Sequence, residues 1–207
     1  MSSDELCFKE EEVWMGLMAW MGNKQAEEVE VTKIMETVRF GLLDPEFFQS
    51  RVMPHPHFQS LDNWSSMGSL VVGTDIYLCG GQMIKEGLSP VKVLMRFSAN
   101  TMEVTRLSMM RDCRNYVGLA VHSGSIYAIG GVSDGVPMFL SSVEKFDISF
   151  NQWFRVSSMH KARSAAGVAT LRDKIYVVGG KDGVGVTSTA EVFNPATGRW
   201  TMIKSMR

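Results

Sequence analysis

The chain has little cysteine: Cys7, Cys79 and Cys113 in 207 residues, odd in number and without the paired spacing of a metal site. A disulfide-stapled secreted scaffold is excluded on that ground, and a reducing, cytoplasmic setting is expected. Excess charge of either sign is missing too. Lys and Arg number 21 against 22 Asp and Glu, a net charge of −1, which provides no basic footprint for nucleic acid. Long apolar runs are also missing. The longest, VWMGLMAWMG, falls far short of the roughly 20 residues that span a bilayer. Asp4, Glu5 and Glu10 to Glu12 precede it where a signal peptide would be basic. Neither a nucleic acid nor a membrane is expected as a partner.

What the chain does have is glycine in pairs. IYLCGG (76–81), IYAIGG (126–131) and IYVVGG (175–180) repeat one phrase. A Gly-Gly after an apolar strand could cradle a phosphate, but that needs a helix next, with its N-terminal dipole on the anion. VGVTSTAEVFNPATGRW follows instead, β-branched and aromatic up to the Asn194-Pro195 turn. The repeat is therefore the signal. Tyr77, Tyr127 and Tyr176 each stand three residues before the first glycine, and Gly68, Gly118 and Gly167 nine before the tyrosine. Downstream come Phe97, Phe146 and Phe193, then Val104, Trp153 and Trp200, then Met110, Met159 and Met206. Self-similarity at a period of about fifty residues means an array of supersecondary units.

Apolar periodicity divides each unit into four strands. GLAVHSGSIYAIGG gives two runs about the Ser123-Gly124 turn, SSVEKF alternates, and QWFRV follows a polar turn. Four-stranded units of this length are blades of a β-propeller. The predicted fold is mainly β, about three four-stranded blades at residues 61–110, 111–159 and 160–207, with an α-helical segment ahead of them. The double glycine ends the second strand, where no side chain fits or φ must be positive. The tryptophans Trp153 and Trp200 are expected in blade cores and Trp64 in a loop column.

The glycine pair, its tyrosine, the Glu-x-aromatic of VEKF and AEVF, the spaced tryptophan, and Met-x-x-x-Arg at Met110–Arg114 and Met159–Arg163 closely resemble the kelch repeat. The first unit departs from it in three columns, with Val104 for the tryptophan, Met95 for the glutamate and Trp64 for the arginine.

Residues 1–57 differ in kind. KEEEVWMGLMAWM, EEVEVTKIMETVRF and DPEFFQSRV suit three helices, the last with Asp44 as N-cap and Pro45 in its first turn. Val38, Arg39, Phe40, Leu42, Leu43, Pro45 and Phe47 resemble the second half of the BACK domain of BTB-BACK-kelch proteins. The domains are thus read as a partial BACK segment, 1–57, and kelch repeats, 58–207, with no BTB domain. Propellers of this family close with about six blades, so three units form half a ring with a raw face at each end.

No catalytic set, metal site or cofactor site is expected. His55 and His57, in PHPHF, lack a nearby carboxylate or Cys pair, and His122 and His160 stand singly. The Tyr, Cys and His ligands of copper oxidases on kelch-type propellers are not visible. Cys113, between Arg111 and Arg114, is read first as an ordinary loop thiol, although flanking guanidinium groups would favour its thiolate if it were exposed. Among the 16 methionines, Met138 in GVPMF is expected to project from a loop.

The resemblance implies a non-enzymatic adaptor. The propeller captures a protein substrate for ubiquitination, and a BTB domain, where present, binds cullin-3. An actin-binding cytoskeletal scaffold is the alternative it implies. Family partners are gripped by loops leading into each blade's first strand and by loops after the glycine pair. Position by position, this points to Asn115 and Tyr116 after Arg114, Ser164 after Arg163, Val132 after Gly131 and Lys181 after Gly180. Six residues past the pair it points to Val186 in the third unit. Pro137 is the nominal equivalent in the second, which has two extra residues and could also present Phe139.

Overall fold

The computed structural model describes residues 64–83, 89–98, 101 and 103–206. The three expected helices, Cys7, His55 and His57, and the side chain of Trp64 lie outside them. After β1 (Trp64–Ser65), the first unit runs through β2 (Gly68–Val72), β3 (Asp75–Cys79), the short β4 (Gln82–Met83) and β5 (Ser89–Pro90), then β6 (Leu94–Ser98) and β7 (Glu103–Arg106). The second comprises β8 (Gly118–His122), β9 (Ser125–Ile129), β10 (Val143–Asp147) and β11 (Gln152–Val156). The third comprises β12 (Gly167–Leu171), β13 (Lys174–Val178), β14 (Ala190–Asn194) and β15 (Arg199–Ile203). Each unit is one antiparallel four-stranded sheet in chain order, β2-β3-β6-β7, β8-β9-β10-β11 and β12-β13-β14-β15. The first strands of the three blades lie side by side.

The columns seen in the sequence are contacts in these sheets. Phe97 faces Val104, Phe146 faces Trp153 and Phe193 faces Trp200 across the outer hairpin. Side chains alternate between sheet faces, so the second blade buries one apolar face against the first blade and the other against the third. Tyr77, Cys79, Leu94 and Met110 of the first blade join Ile126, Ala128, Phe146 and Trp153 of the second in one core. Tyr127, Ile129 and Val143 join Ile175, Val177, Phe193 and Trp200 in the next. The first unit forms a full blade despite its three departures.

The column glycines let the blades meet. A Cβ on Gly68 would stand 2.8 Å from Leu119 Cγ, and one on Gly118 2.5 Å from Val168 Cγ2. At Gly167 it would meet only its own sheet, at Val178 O, and Leu171 on this strand is 59% exposed. A raw face is therefore present at the third blade. At the first, Ile76, Leu78 and Phe97 are buried.

The double glycine is needed on both counts expected. Gly130 and Gly131 have φ of 62° and 106°, and a Cβ on Gly130 would lie 2.2 Å from the carbonyl oxygen of Arg163 in the next blade. Gly124, at φ 67°, has open space around it. In urea titrations Gly124→Ala is expected to lose about 1–2 kcal/mol, the cost of left-handed backbone alone. Gly130→Ala is expected to lose clearly more, because the arginine carbonyl must also retreat. Equal losses would show that the blade contact is not what the glycine serves.

Candidate functional site

The loops at one end of the strands form a built surface. Asn115 bridges to Val132, and Val132 to Phe139; one blade on, Ser164 bridges to Lys181, and Lys181 to Val186. The first unit has the same ladder as its small sheet β1-β4-β5, where Ser65 pairs with Gln82 and Gln82 with Pro90. Six of the eight residues carried over from the sequence thus lie in two equivalent ladders. Phe139, bridged to Val132 as Val186 is to Lys181, takes the place assigned nominally to Pro137. The two extra residues lengthen the loop tip and leave the ladder intact, so Pro137 stands exposed at that tip. Sequence reasoning missed Ser65 and Gln82, because Trp64 hides the arginine from which the positions are counted. Gln82 follows Gly81 directly, and that adjacency was a usable signal.

Burial divides the eight. Asn115 and Ser164 are buried and brace the ladders: the Asn115 amide donates to Gln82 Oε1, and Ser164 exchanges backbone hydrogen bonds of 2.8 and 2.9 Å with Lys181. Val132 and Phe139 are half-buried, whereas Tyr116, Pro137, Lys181 and Val186 are exposed. Met138 is exposed in its loop, as expected. Ser66, Tyr116 and Ala165 all have left-handed backbone, at φ 55°, 52° and 48°. They connect the blades in series: Tyr116 N–H donates to Ser66 O at 3.1 Å, and Ala165 N–H to Tyr116 O at 3.0 Å. Non-glycine residues in this region hold strain of order 1–3 kcal/mol, and such strain clusters at functional sites.

Beneath the loops lies a buried ion pair in each of the last two blades. Arg114 and Glu144 are wholly buried, 3.1 Å apart, and so are Arg163 and Glu191 at 3.0 Å. Arg114 Nη1 also donates to the carbonyls of Gly130 and Ser142, and Glu144 accepts the backbone N–H groups of Arg111 and Asp112. Each pair therefore fixes the loop after the glycines to the loop leading into the same blade. Burial alone would raise the Glu191 pKa. Hydrogen bonds from the backbone and ring of His160, from Arg163 and from Lys161 N–H outweigh it and hold the carboxyl below its ordinary range.

Cys113 is partly buried and its surroundings do not favour the thiolate, in keeping with an ordinary loop thiol. Burial first, then Asp134 and Asp112, push its thiol up against a lesser lowering by Lys92. The Arg114 guanidinium that was to favour the thiolate points inward to Glu144. His160 is satisfied by Glu191, and His122 stands 3.7 Å from Asp173. Among the described residues no three His, Cys, Asp or Glu side chains gather where they could hold a metal. No helix there is long and apolar enough to cross a membrane.

Comparison with known proteins agrees with this architecture. The family model described as Kelch motif matches residues 113–160 and 162–207, and that described as BTB And C-terminal Kelch, the BACK model, matches residues 1–53. An F-box/kelch-repeat protein of Arabidopsis thaliana is 39% identical over 87 residues, 40% of this chain and 18% of that protein. Kelch-like protein 35 of Mus musculus is 29% identical over 140 residues, 67% of this chain and 23% of the relative. The chain thus spans less than a quarter of the length of these relatives. Among solved structures, that of YjhT superposes with a TM-score of 0.60 at 17% identity, covering 69% of this chain and 52% of that one, and shares its fold. With BACK sequence ahead of kelch repeats whose blades are built as described, the chain is similar over this part to the kelch-like proteins.

Proposed function

We propose that the chain is a non-enzymatic, cytoplasmic adaptor whose loop face captures a protein. On this reading the captured protein is presented to a cullin-3 ubiquitin ligase for modification and proteasomal degradation, with cullin-3 engaged where a BTB domain accompanies these repeats. The observation that supports it is the loop face itself. The same three-position ladder recurs in all three described blades, and next to its Asn115 stands Tyr116, exposed on strained backbone. Aromatic side chains held in place are the usual anchors of protein interfaces.

The test replaces Tyr116 and Phe139 together by alanine. Circular dichroism should be unchanged while capture of copurifying proteins, cullin-3 clients among them, falls. Undiminished capture, combined with its loss on changing the turns at the opposite end of the strands, would place the site elsewhere. Co-sedimentation with filamentous actin that survives the double change would favour a cytoskeletal scaffold.

A further inference from the structure

We infer that the loop face of the second and third blades takes an extended peptide in which an aliphatic residue stands beside a carboxylate. This deepens the reading of the loop face as a protein-capturing site and rests on it. The two loops after the glycine pairs touch, since Phe139 Cδ2 lies 3.8 Å from where a Cβ of Gly183 would be. Together they present Val136, Met138, Val184 and Val186, all exposed. Exposed apolar side chains gathered in one patch mark interaction sites, whereas single ones do not.

The loops are fixed in shape. Ser133 N–H donates to Met138 O at 2.8 Å and Asp182 N–H to Gly185 O at 2.9 Å, while Asp182 Oδ1 accepts the N–H groups of Val184 and Gly185. A surface already ordered loses little conformational freedom on binding. Lys181 exchanges both backbone hydrogen bonds with Ser164. Its main chain has no group left to extend a sheet, so recognition there falls to side chains.

Charge supplies the second half of the specification. The carboxylates beneath this face are engaged inside the protein: Glu144 and Glu191 by their arginines, Asp112 by Arg114, Arg155 and Ser142, and Asp182 by its own loop. Asp134, on the second-blade loop, is the exposed exception, with a 3.4 Å contact from Ser133. Lys161 and Lys181 are exposed, and neither forms an ion pair among the described residues. Lys161 lies near enough to help keep Asp182 ionised. An acidic group arriving beside Val186 meets the charge of Lys181, bridged to it, with Lys161 adding to the positive side, and such complementarity selects partners by sign.

The experiment is selection of phage-displayed random dodecapeptides on the whole chain at low salt. Enriched peptides are expected to carry Asp or Glu next to Leu, Ile, Val or Met. A synthetic peptide of the enriched sequence should bind the Lys161→Glu/Lys181→Glu variant roughly tenfold or more weakly, and exchanging its acid for lysine should restore binding to that variant. Both changed side chains are exposed, and an unchanged thermal melt checks folding. Neutral or basic peptides that are lost with Tyr116→Ala/Phe139→Ala would overturn the acidic specification and leave the loop face standing as the binding site. Peptides indifferent to every loop-face change, or no enrichment at all, would count against both.

Discussion

Glu144→Met is expected to destabilise the protein by about 3–5 kcal/mol, because it leaves the Arg114 guanidinium buried without its counter-charge. It also removes the acceptor for the backbone N–H groups of Arg111 and Asp112. Arg114→Met is expected to cost a comparable amount for the mirror reason. Changed together, Arg114→Met with Glu144→Met should cost less than the sum of the two single changes by about 0.5–3 kcal/mol, the range for residues in direct contact. The protein contains a precedent. In the first unit Trp64 stands in the arginine column and Met95 in the glutamate column, so both charges are absent together, and that unit still forms its four-stranded sheet. Urea titration of the cycle decides the matter. Small, additive single losses would mean that the pair contributes nothing beyond what packing supplies.

The pair in the third blade adds a pH signature. The carboxyl of Glu191 titrates lower in the folded protein than in the unfolded chain. Its stabilisation is therefore complete above the ordinary glutamate value of about 4.3 and is lost as pH falls through the lower, folded value. Glu191→Gln should remove this component of the acid response, read as the change in stability with pH below the ordinary glutamate value in urea titrations.

The arginine and glutamate columns were both legible in the sequence, yet their partnership was not. Arg114 and Glu144 are 30 residues apart and belong to a loop and a strand that meet only once the blade closes. What was legible is what recurs at fixed spacing within a hairpin. The Phe-to-Trp interval is the last residue of one strand, a turn and the first residues of the next, so it converts directly into register. Loop positions were less so. Counting forward from Gly131 reached Pro137, whereas the chain returns to Val132 at Phe139, because hydrogen bonds fix both ends of the loop and the surplus goes to its tip. Side-chain direction was least legible. Asn115 and Ser164 read as contact residues by analogy but are turned inward to hold the ladders, which alternation along an isolated bridge cannot reveal.

Trp153→Ala and Trp200→Ala are each expected to lose about 3–5 kcal/mol, the range for removing a large buried aromatic. Trp153 packs 5.1 Å from the ring of Phe146, within the core shared by the first and second blades, and its Nε1 donates to Ser108 O at 2.7 Å. Ser108 lies between β7 and β8, so the indole also ties down the crossing from one blade to the next. Trp200 repeats this arrangement, 4.9 Å from Phe193 and bonded to Ser157 O at 2.8 Å, between the second and third blades. Val104, in the same column of the first blade, is half-buried and has no polar tip, so Val104→Ala should cost much less. The two tryptophan variants should also differ in kind. Blades contact only their neighbours, and stability in such arrays is a sum of unit and interface contributions. Losing Trp153 weakens the junction of the first blade with the other two, so its amides, at Tyr77 and Leu78, should exchange hydrogen sooner while those of Val177 and Val192 keep their protection. Losing Trp200 should do the reverse. Uniform loss of protection across all three blades in both variants would mean that the tryptophans support one undivided core and do not pin separate junctions.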